Sequence, residues 1–391
     1  MDKRQIRLFI SENYGTEVEE SVYYWKGIPI IRKRPLMKNA KPKVVELFSG
    51  CGGTSTGFEM AGFEVILGAD IHKPSIDTFH YNHKSSTTIL GDLTNITEKD
   101  LLKALPVKMI DVMIAGVPCQ GFSLNNRKRH AKDRRNFLFK EYLRFVNFFQ
   151  PPIAILENVS GMRSTADGAF VEDIENEFRK AGYETIEHRM LNSADYGVPQ
   201  IRMRLVFIAT KKGIKFEWPN KIYSEKGKKH YLTVRDAISD LPTLHSGESS
   251  SEYDKLPQNK YQKLMRNMTN KLENHKAPSH PESTIKKIGS TKQGEPMYPK
   301  FKQRIRLSWS KPSPTQVSGG IRPQFQFGHP NQARGLTVRE RCRIQSFPDD
   351  FVVFGGTVQG RVQTGNAVPP LLAKAIAEEV KKAFKKSKYN G

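Results

Sequence analysis

Cys119 has the sequence setting that most strongly suggests catalysis. It stands in Gly116-Val117-Pro118-Cys119-Gln120-Gly121-Phe122-Ser123, directly after the apolar run VMIAGV. A loop at the end of a buried strand is where open α/β sheets bind ligands, and nearby cations there can hold a cysteine as a nucleophilic thiolate. A lone cysteine is more often a small buried hydrophobe, which is our interpretation of Cys342 in its helical segment. The flanking proline and glycines predict that Cys119 is a nucleophile.

Glu157 is the second candidate, because it follows the apolar run that comes next in the chain. The segment PIAILEN carries Glu157 and Asn158 at its end. Apolar surroundings raise the pKa of a carboxyl group, and a glutamic acid that is protonated near neutral pH can donate a proton. The alternative is an ordinary surface glutamate past a strand end. We prefer the catalytic interpretation because Glu157 emerges from the same predicted sheet edge as Cys119.

Polar side chains alternate in the segment that leads into the run RLVFIAT. The order Gln200-Ile201-Arg202-Met203-Arg204 places Gln200, Arg202 and Arg204 on one face of an extended chain. Such a set suits an anionic or carbonyl-bearing ligand. A solvated sheet edge is the alternative.

A glycine-rich turn and two aspartates suggest a cofactor site. Phe48-Ser49-Gly50-Cys51-Gly52-Gly53 follows the run KVVELF, Asp70 closes the run FEVILGAD, and Asp92 follows a further short run. Glycines let the backbone approach a ligand closely, and an acid about 20 residues later can bind ribose hydroxyls. Ordinary strand-to-helix turns are the alternative. Ser55 stands where the dinucleotide-binding pattern needs its third glycine, which disfavours a dehydrogenase.

The elements that must position these residues alternate between strands and helices. Strand-like runs are separated by helical candidates such as NFLFKEYLRFVNFF and FVEDIENEFRKAGY as far as about residue 210, which predicts an α/β fold with a doubly wound, mostly parallel sheet. Residues 1–42 are assigned no chemistry, although VYYWKGIPIIRK can form a short hairpin or an edge element. Helical periodicity returns in LTVRERCRIQSF and PPLLAKAIAEEVKKAF, and we expect these helices to pack on the same sheet.

Composition divides the chain and indicates its partner. Of the 391 residues, 63 are Lys or Arg and 40 are Asp or Glu, and this net charge of +23 favours nucleic acid over an anionic membrane. Residues 211–310 hold 21 Lys and Arg against 10 Asp and Glu. We therefore predict an N-terminal extension (1–42), a catalytic and cofactor-binding domain (43–212), an inserted target-recognition domain (213–329), and a C-terminal segment returning to the catalytic domain (330–391).

Several classes of protein are disfavoured. The N-terminus lacks an apolar core with a cleavage site, and no apolar run is long enough to cross a membrane, so we expect a cytoplasmic, nucleoid-associated protein. The three cysteines form no C-x-x-C pair, so we expect free thiols, and neither a disulfide framework nor a metal site.

Six motifs in order, FSGCGG, PCQGFS, ENV, QIRMR, LTVRERCRIQSFPDDF and GNAVPP, resemble those of the cytosine-5 DNA methyltransferases, specifically the bacterial and phage restriction-modification type. The resemblance runs from about Lys43 to Val380 and implies a Rossmann-like, S-adenosylmethionine-dependent fold. It implies that Cys119 is the nucleophile, that Glu157 contacts cytosine N3, and that Arg202 and Arg204 orient the pyrimidine. The implied cofactor contacts are Phe48, Ser49, Gly50, Gly52, Gly53, Asp70, Ile71, Asp92, Leu93, Pro118, Asn366 and Ala367. The implied DNA contacts are Gln120, Ser123, Asn158, Gln200 and Thr315.

Other implications concern partners. The family often has glutamate where this chain has Asp70, which is one methylene shorter. We expect a monomer that binds double-stranded DNA in a cleft between its domains, flips the target base, and shares its site with a restriction endonuclease without a stable complex. The rivals are an RNA cytosine-5 methyltransferase and a binding protein that lacks catalysis. An amino-group methyltransferase would need an Asp/Asn-Pro-Pro-Tyr/Phe loop, which the sequence does not contain.

Overall fold

The structure, a computed structural model, describes residues 20–25, 28–33, 41–107, 109–117, 138–159, 169–267, 269–318 and 325–387. The chain forms two compact units. The first contains residues 1–191, 203–219 and 373–391, and the second contains residues 192–202 and 220–372.

A nine-stranded sheet organises the first unit, with strand order β1-β2-β5-β4-β3-β6-β7-β9-β8. Its strands are β1 (Glu20–Trp25), β2 (Ile28–Lys33), β3 (Lys43–Leu47), β4 (Glu64–Asp70), β5 (Thr87–Leu90), β6 (Val112–Gly116), β7 (Ile153–Val159), β8 (Thr185–Asn192) and β9 (Met203–Thr210). The five central strands β5, β4, β3, β6 and β7 are parallel to one another, whereas β2 runs antiparallel to β5 and β9 runs antiparallel to β7. The predicted α/β class and mostly parallel sheet are confirmed.

The central strands are apolar because they lie within the core. Val44, Val45, Val112 and Met113 are fully buried, which is typical of parallel strands covered on both faces. The helices of this unit are α1 (Gly53–Met60), α2 (Lys73–Asn82), α3 (Glu98–Ala104), α4 (Leu138–Phe149), α5 (Ala169–Lys180) and most of α11 (Pro370–Lys386). Because the carboxyl ends of parallel strands share one edge, the turns after β3, β4, β5, β6 and β7 are brought together.

The N-terminal hairpin is an addition to one edge of the sheet. Strands β1 and β2 pair antiparallel, and Ile30 and Ile31 of β2 pair with Ile89 and Thr88 of β5. Ile30 belongs to the core cluster of the sheet. The predicted hairpin, on the edge of the sheet, is therefore confirmed.

The second unit is built from short helices and irregular segments around its own core. Its helices are α6 (Val234–Ile238), α7 (Lys260–Arg266), α8 (Glu282–Ser290), α9 (Val338–Ile344) and α10 (Gly356–Asn366). Val234, Met265, Leu307 and Ile344 belong to one buried cluster of this unit. Helix α9, which we expected on the sheet of the first unit, thus packs within the second unit, and residues 330–372 group with it. The C-terminal return, expected from residue 330, begins at Ala373.

Candidate active site

The glycine-rich turn after β3 has an uncommon backbone conformation. Phe48, Gly50 and Gly52 have φ angles of 53°, 53° and 90°. A left-handed phenylalanine is costly, and such residues cluster at functional sites. A methyl group added at Gly52 would lie 2.1 Å from His83 Nε2, so this position requires glycine. A methyl group added at Gly50 would contact no atom within 4 Å, so the turn has open space above it.

Asp70 is fixed against this turn. Its Oδ2 accepts a hydrogen bond from Gly50 N at 2.9 Å, and its Oδ1 accepts one from His72 N at 2.8 Å. Burial raises the pKa of Asp70, although these two hydrogen bonds oppose the rise. Ile71, the next residue, exposes 67% of its surface. A held carboxylate beside an exposed apolar side chain can accept from sugar hydroxyls and contact an aromatic base, so these residues fit a nucleoside-bearing cofactor.

The turn after β5 only partly matches its predicted role. Asp92 Oδ1 accepts from Thr94 N at 3.0 Å and from Thr94 Oγ1 at 2.9 Å, and so caps the short helical turn Leu93–Asn95. Leu93 is buried in the core of the sheet, and its carbonyl accepts from Arg144. The Leu93 side chain therefore packs in the core, and the predicted cofactor contact of this residue stays a prediction.

The end of β6 lies beside the other strand ends. A methyl group added at Gly116 would lie 3.5 Å from Glu157 Oε2 and 3.8 Å from the Phe48 carbonyl oxygen. The strand that leads to Cys119 thus ends next to both the glycine-rich turn and Glu157. Pro118, Cys119, Gln120 and Ser123 lie outside the described residues.

Glu157 and Arg204 form an ion pair at this edge. Arg204 Nε lies 2.6 Å from Glu157 Oε1, and both side chains are largely buried, at 9% and 14% exposure. Strand pairing explains the contact: Glu157 lies opposite Val206, so Arg204, two residues away, is its diagonal neighbour on the same face. The N–H direction does not meet hydrogen-bond geometry, so the contact is electrostatic. Burial lowers the pKa of Arg204, whereas the Glu157 charge raises it. We expected apolar surroundings for Glu157, whereas the structure places a buried guanidinium group beside it.

Asn158 does not share this face. It follows Glu157 on β7, and successive side chains of a strand point to opposite faces. It is almost completely buried. The two residues of the Glu-Asn pair are thus separated by the sheet, and the predicted DNA contact of Asn158 would have to come from the face opposite Glu157.

Arg202 has partners different from those expected. Its guanidinium is fully buried, with Nη1 donating to the Gln316 carbonyl at 2.8 Å and Nη2 donating to the carbonyls of Gly365 at 2.7 Å and Ala367 at 3.0 Å. Gln200 is equally buried, and its Oε1 accepts from Gln316 N at 2.9 Å. Both side chains bind protein backbone. These contacts indicate a positioning role, and the predicted contacts of Arg202 with the pyrimidine and of Gln200 with DNA stay predictions.

Thr315 and Asn366 lie in the segments that Arg202 joins. Thr315 Oγ1 donates to the Ile201 carbonyl at 2.8 Å, so its hydroxyl is engaged within the second unit. Asn366 is the last residue of α10 and is exposed. A methyl group added at Gly365 would lie 2.4 Å from Ser318 N. Glycine is therefore needed where the turn of Asn366 and Ala367 approaches residues 315–318, which we call the Thr315 segment.

Glu46 is a buried carboxyl group next to the glycine-rich turn in the chain that was not predicted from the sequence. It lies within β3, is 2% exposed, and accepts hydrogen bonds from both the backbone N (3.0 Å) and the hydroxyl of Ser55 in α1. Burial raises the pKa of Glu46 to about 7. The single carboxylate inside the apolar run KVVELF was the available signal.

The remaining predictions concern cysteines, metals and membranes. Cys51 and Cys342 are buried and outside any disulfide, which confirms the expected free thiols at these two positions and the packing role of Cys342. Burial raises the pKa of Cys342 to about 11. Across the described residues, no group of three or more His, Cys, Asp or Glu side chains is arranged to hold a metal ion. No helix in that part of the chain is both long enough and apolar enough to span a membrane.

Solved structures with similar folds are methyltransferases. A DNA modification methyltransferase encoded within a prophage of E. coli matches with a TM-score of 0.73 and 25% identity, over 88% of this chain and 100% of that chain. The Dnmt2 methyltransferase of S. pombe matches with a TM-score of 0.58 over 88% of this chain and 99% of that chain, and at 16% identity it shows the fold alone.

Sequence comparisons identify the family. Type II methyltransferase M1.HphI of Haemophilus parahaemolyticus is 36% identical over 378 residues, covering 93% of this chain and 94% of the relative. Type II methyltransferase M.DdeI of Desulfomicrobium norvegicum is 36% identical over 372 residues, covering 86% and 88%. The model of the C-5 cytosine-specific DNA methylases matches residues 42–382. The chain therefore belongs to the C-5 cytosine-specific DNA methylase family and is a DNA cytosine-5 methyltransferase.

Proposed function

We propose that the chain methylates C5 of a flipped-out cytosine at a specific site in duplex DNA, with Cys119 attacking C6 of the ring. Cytosine C5 is a poor nucleophile until a thiolate adds at C6, so the reaction needs a nucleophile together with groups that stabilise charge on the ring. The observation that carries the proposal is the Glu157–Arg204 pair beside the end of β6, the strand that leads to Cys119.

The pair is complementary to one edge of cytosine. N3 and O2 are neighbours on that ring, and a carboxyl group next to a guanidinium can hydrogen-bond N3 while the guanidinium donates to O2. In the free protein, the Glu157 carboxyl group contacts Arg204. When cytosine binds, Arg204 can donate to O2 and the base excludes water from the site. Glu157 then faces N3, where it can act as the acid of the reaction.

S-adenosylmethionine is the proposed cofactor, and its role is to supply the methyl group. The residues that would hold it are the left-handed turn of Phe48, Gly50 and Gly52, the Asp70 carboxylate and the exposed Ile71. Asp70 would accept from ribose hydroxyls, since each of its oxygens keeps acceptor capacity beyond one backbone N–H. Ser49, Gly53, Asp92, Pro118, Asn366 and Ala367 remain predicted contacts.

Arg202 and Gln200 act in this proposal as positioning residues. Their contacts hold Gln316 of the Thr315 segment, and Arg202 also holds the Gly365–Ala367 turn. They fix the segments that carry Thr315, Asn366 and Ala367 without contacting the base themselves.

Sequence recognition is assigned to residues 213–329, within which a basic surface provides a DNA contact. Lys221, Ile222, Tyr223, Ser224, Lys228 and Lys229 line an open cleft. Lysines there, together with exposed Lys286 and Lys287, would neutralise phosphates and release counterions on every sequence. We further propose that the enzyme is a cytoplasmic monomer of a type II restriction–modification system and protects DNA from an endonuclease with the same site.

Bisulfite sequencing of DNA from cells that express the chain tests the proposed function. One cytosine within one recurring sequence should be protected, and no such protection should appear with Cys119→Ala. Methylation of tRNA instead of duplex DNA by the purified enzyme would favour the RNA alternative.

A chimera tests the recognition role separately. Replacing residues 213–313 by the equivalent segment of a relative with another target should transfer that target while cytosine C5 stays the methylated atom. A folded, active chimera that keeps the original site would place recognition elsewhere.

A further inference from the structure

Two neighbouring buried arginines of the second unit, Arg341 and Arg361, have no carboxylate partner among the described residues. Arg341, on α9, is 3% exposed, and Arg361, on α10, is 8% exposed. Other buried arginines of this unit have partners: Arg334 pairs with Glu340 at 2.7 Å, Arg343 pairs with Asp349 at 2.6 Å, and Arg202 donates to three backbone carbonyls. Within the described part of the chain, no carboxylate lies within ion-pair distance of Arg341 or Arg361. An uncompensated buried charge is costly, so a partner from outside the chain is expected.

Close packing of α9 and α10 brings the Arg341 guanidinium to the backbone of Arg361. A methyl group added at Gly360 would lie 2.5 Å from Val338 Cγ2, so the helices approach closely just before Arg361. Arg341 Nη2 lies 3.4 Å from the Arg361 carbonyl oxygen. Burial, and then the Arg361 charge, lower the pKa of Arg341 to about 9. Burial and then the Arg304 charge lower the pKa of Arg361. The helices thus hold two like charges near each other at buried positions.

The donors of the two arginines are used differently. Arg341 Nε donates to Thr364 Oγ1 at 3.0 Å and Nη2 donates to the Val317 carbonyl at 3.3 Å, so Arg341 is anchored. Arg361 Nε and Nη1 are buried and have no hydrogen-bond partner in the part of the chain that the structure describes. Leaving two charged donors unsatisfied in this way is unfavourable unless a ligand completes the site.

The arginines line a narrow cleft whose walls are partly apolar. Phe325, Phe327, Leu336 and Val338 form much of the lining beside Arg341 and Arg361. The cleft has room for about one water-sized group, which is also the size of a single phosphate oxygen. Arg341 joins this site to Val317, two residues from Thr315.

We propose that Arg361, supported by Arg341, is a site for one oxygen of a DNA backbone phosphate close to the target nucleotide. The inference depends on the proposed function, since Thr315 is the predicted contact to the flipped nucleotide. Guanidinium groups bind phosphate oxygens with strong, charge-assisted hydrogen bonds, and the apolar walls strengthen them. The phosphate would compensate the buried charge only when DNA is bound.

A backbone-substitution experiment tests the assignment. Duplexes that contain the site, with one phosphate at a time replaced by a neutral methylphosphonate, are titrated with wild type, Arg361→Gln, Arg361→Lys, and the control Lys263→Gln, which removes one exposed charge from α7. Wild type should lose affinity roughly tenfold at one phosphate near the target. In Arg361→Gln, the methylphosphonate at that position should cause no loss of DNA affinity. The slope of log K against log salt should fall in magnitude by about 0.9 relative to wild type. Arg361→Lys, which keeps the charge, and Lys263→Gln should retain the wild-type profile.

Thermal unfolding without DNA separates this role from a structural one. Because Arg361 is uncompensated in the free protein, Arg361→Gln should unfold at the same temperature as wild type or higher. An unchanged methylphosphonate profile in Arg361→Gln would overturn the proposal, as would a lower unfolding temperature with unchanged DNA affinity. If inorganic phosphate stabilises wild type but not Arg361→Gln while the DNA profile is unchanged, the site takes free phosphate and the DNA assignment is wrong. Failure of the proposed function would instead appear as absent cytosine methylation by wild type.

Discussion

Glu157 Oε1 and Arg204 Nε lie 2.6 Å apart on neighbouring antiparallel strands, β7 and β9. Each side chain compensates the charge of the other while the site holds no base. When cytosine binds, Glu157 can contact N3 and Arg204 can contact O2 in place of their contact with each other. The pair thus supplies an acid and a cation without an uncompensated charge in the free enzyme.

Glu157→Gln should reduce turnover by roughly 10²-fold or more, because an amide cannot supply a proton at N3. The affinity for S-adenosylmethionine should change much less. Single-turnover kinetics and cofactor titration measure the two effects. A turnover within twofold of wild type would remove Glu157 from the chemistry.

Arg202→Met should destabilise the protein by about 3 kcal/mol, because three backbone carbonyls lose a charged donor at once. Urea unfolding measures the loss. Arg204→Met is the comparison, since Arg204 is predicted to act on the base and its loss should lower turnover more than stability. Unchanged stability of Arg202→Met, together with a large fall in turnover, would restore Arg202 to the pyrimidine.

Gly50→Ala tests the cofactor turn. Gly50 and Gly213 both have positive φ angles, 53° and 83°, and an added methyl group meets nothing within 4 Å at either position. Both alanine variants should therefore lose about 1 to 2 kcal/mol of stability from backbone strain alone. Only Gly50→Ala should also weaken binding of S-adenosylmethionine, measured by calorimetry. Equal cofactor affinity in the two variants would place the cofactor away from the turn.

The raised pKa of Glu46 predicts how the stability of the protein depends on pH. Its folded pKa is raised from 4.5 to about 7, so the unfolded chain loses this proton at lower pH than the folded protein does. Stability therefore falls as pH rises from about 4.5 to about 7, by about 3 kcal/mol, and is constant above that range. Glu46→Gln removes the effect, so the variant should gain stability relative to wild type across this window. Urea unfolding of both proteins at pH 5 and pH 8 measures the difference, and an equal difference at the two pH values would contradict the assignment.

Much of the sheet was predictable because burial leaves a pattern in the sequence. Strands β3, β4, β6, β7 and β9 are apolar runs, and each was recognised. Strand β8 was missed because TIEHRMLN has no such run. Its residues from Thr185 to Met190 alternate between exposed and partly exposed, as expected for the last strand of the order.

The site was predictable where it depends on strand ends and unpredictable where it depends on distant backbone. Glu157 was predictable as a strand-end residue, and Arg204 as a site residue, from their positions in the sequence. The partners of Arg202 were not predictable, since the accepting carbonyls belong to residues 114 to 165 positions away and any residue type provides a carbonyl. Helix α9 was placed on the wrong core for a similar reason, because periodicity indicates an apolar face and not its partner.

Covalent trapping tests the central claim most directly. Duplex DNA with 5-fluorocytosine at the target position should form a stable complex with the wild-type enzyme and S-adenosylmethionine, because fluorine at C5 blocks the final elimination. Mass spectrometry of the digested complex should place the cross-link on Cys119, and Cys119→Ala should bind the same DNA without forming it. A cross-link on another residue, or a covalent complex with Cys119→Ala, would contradict the account.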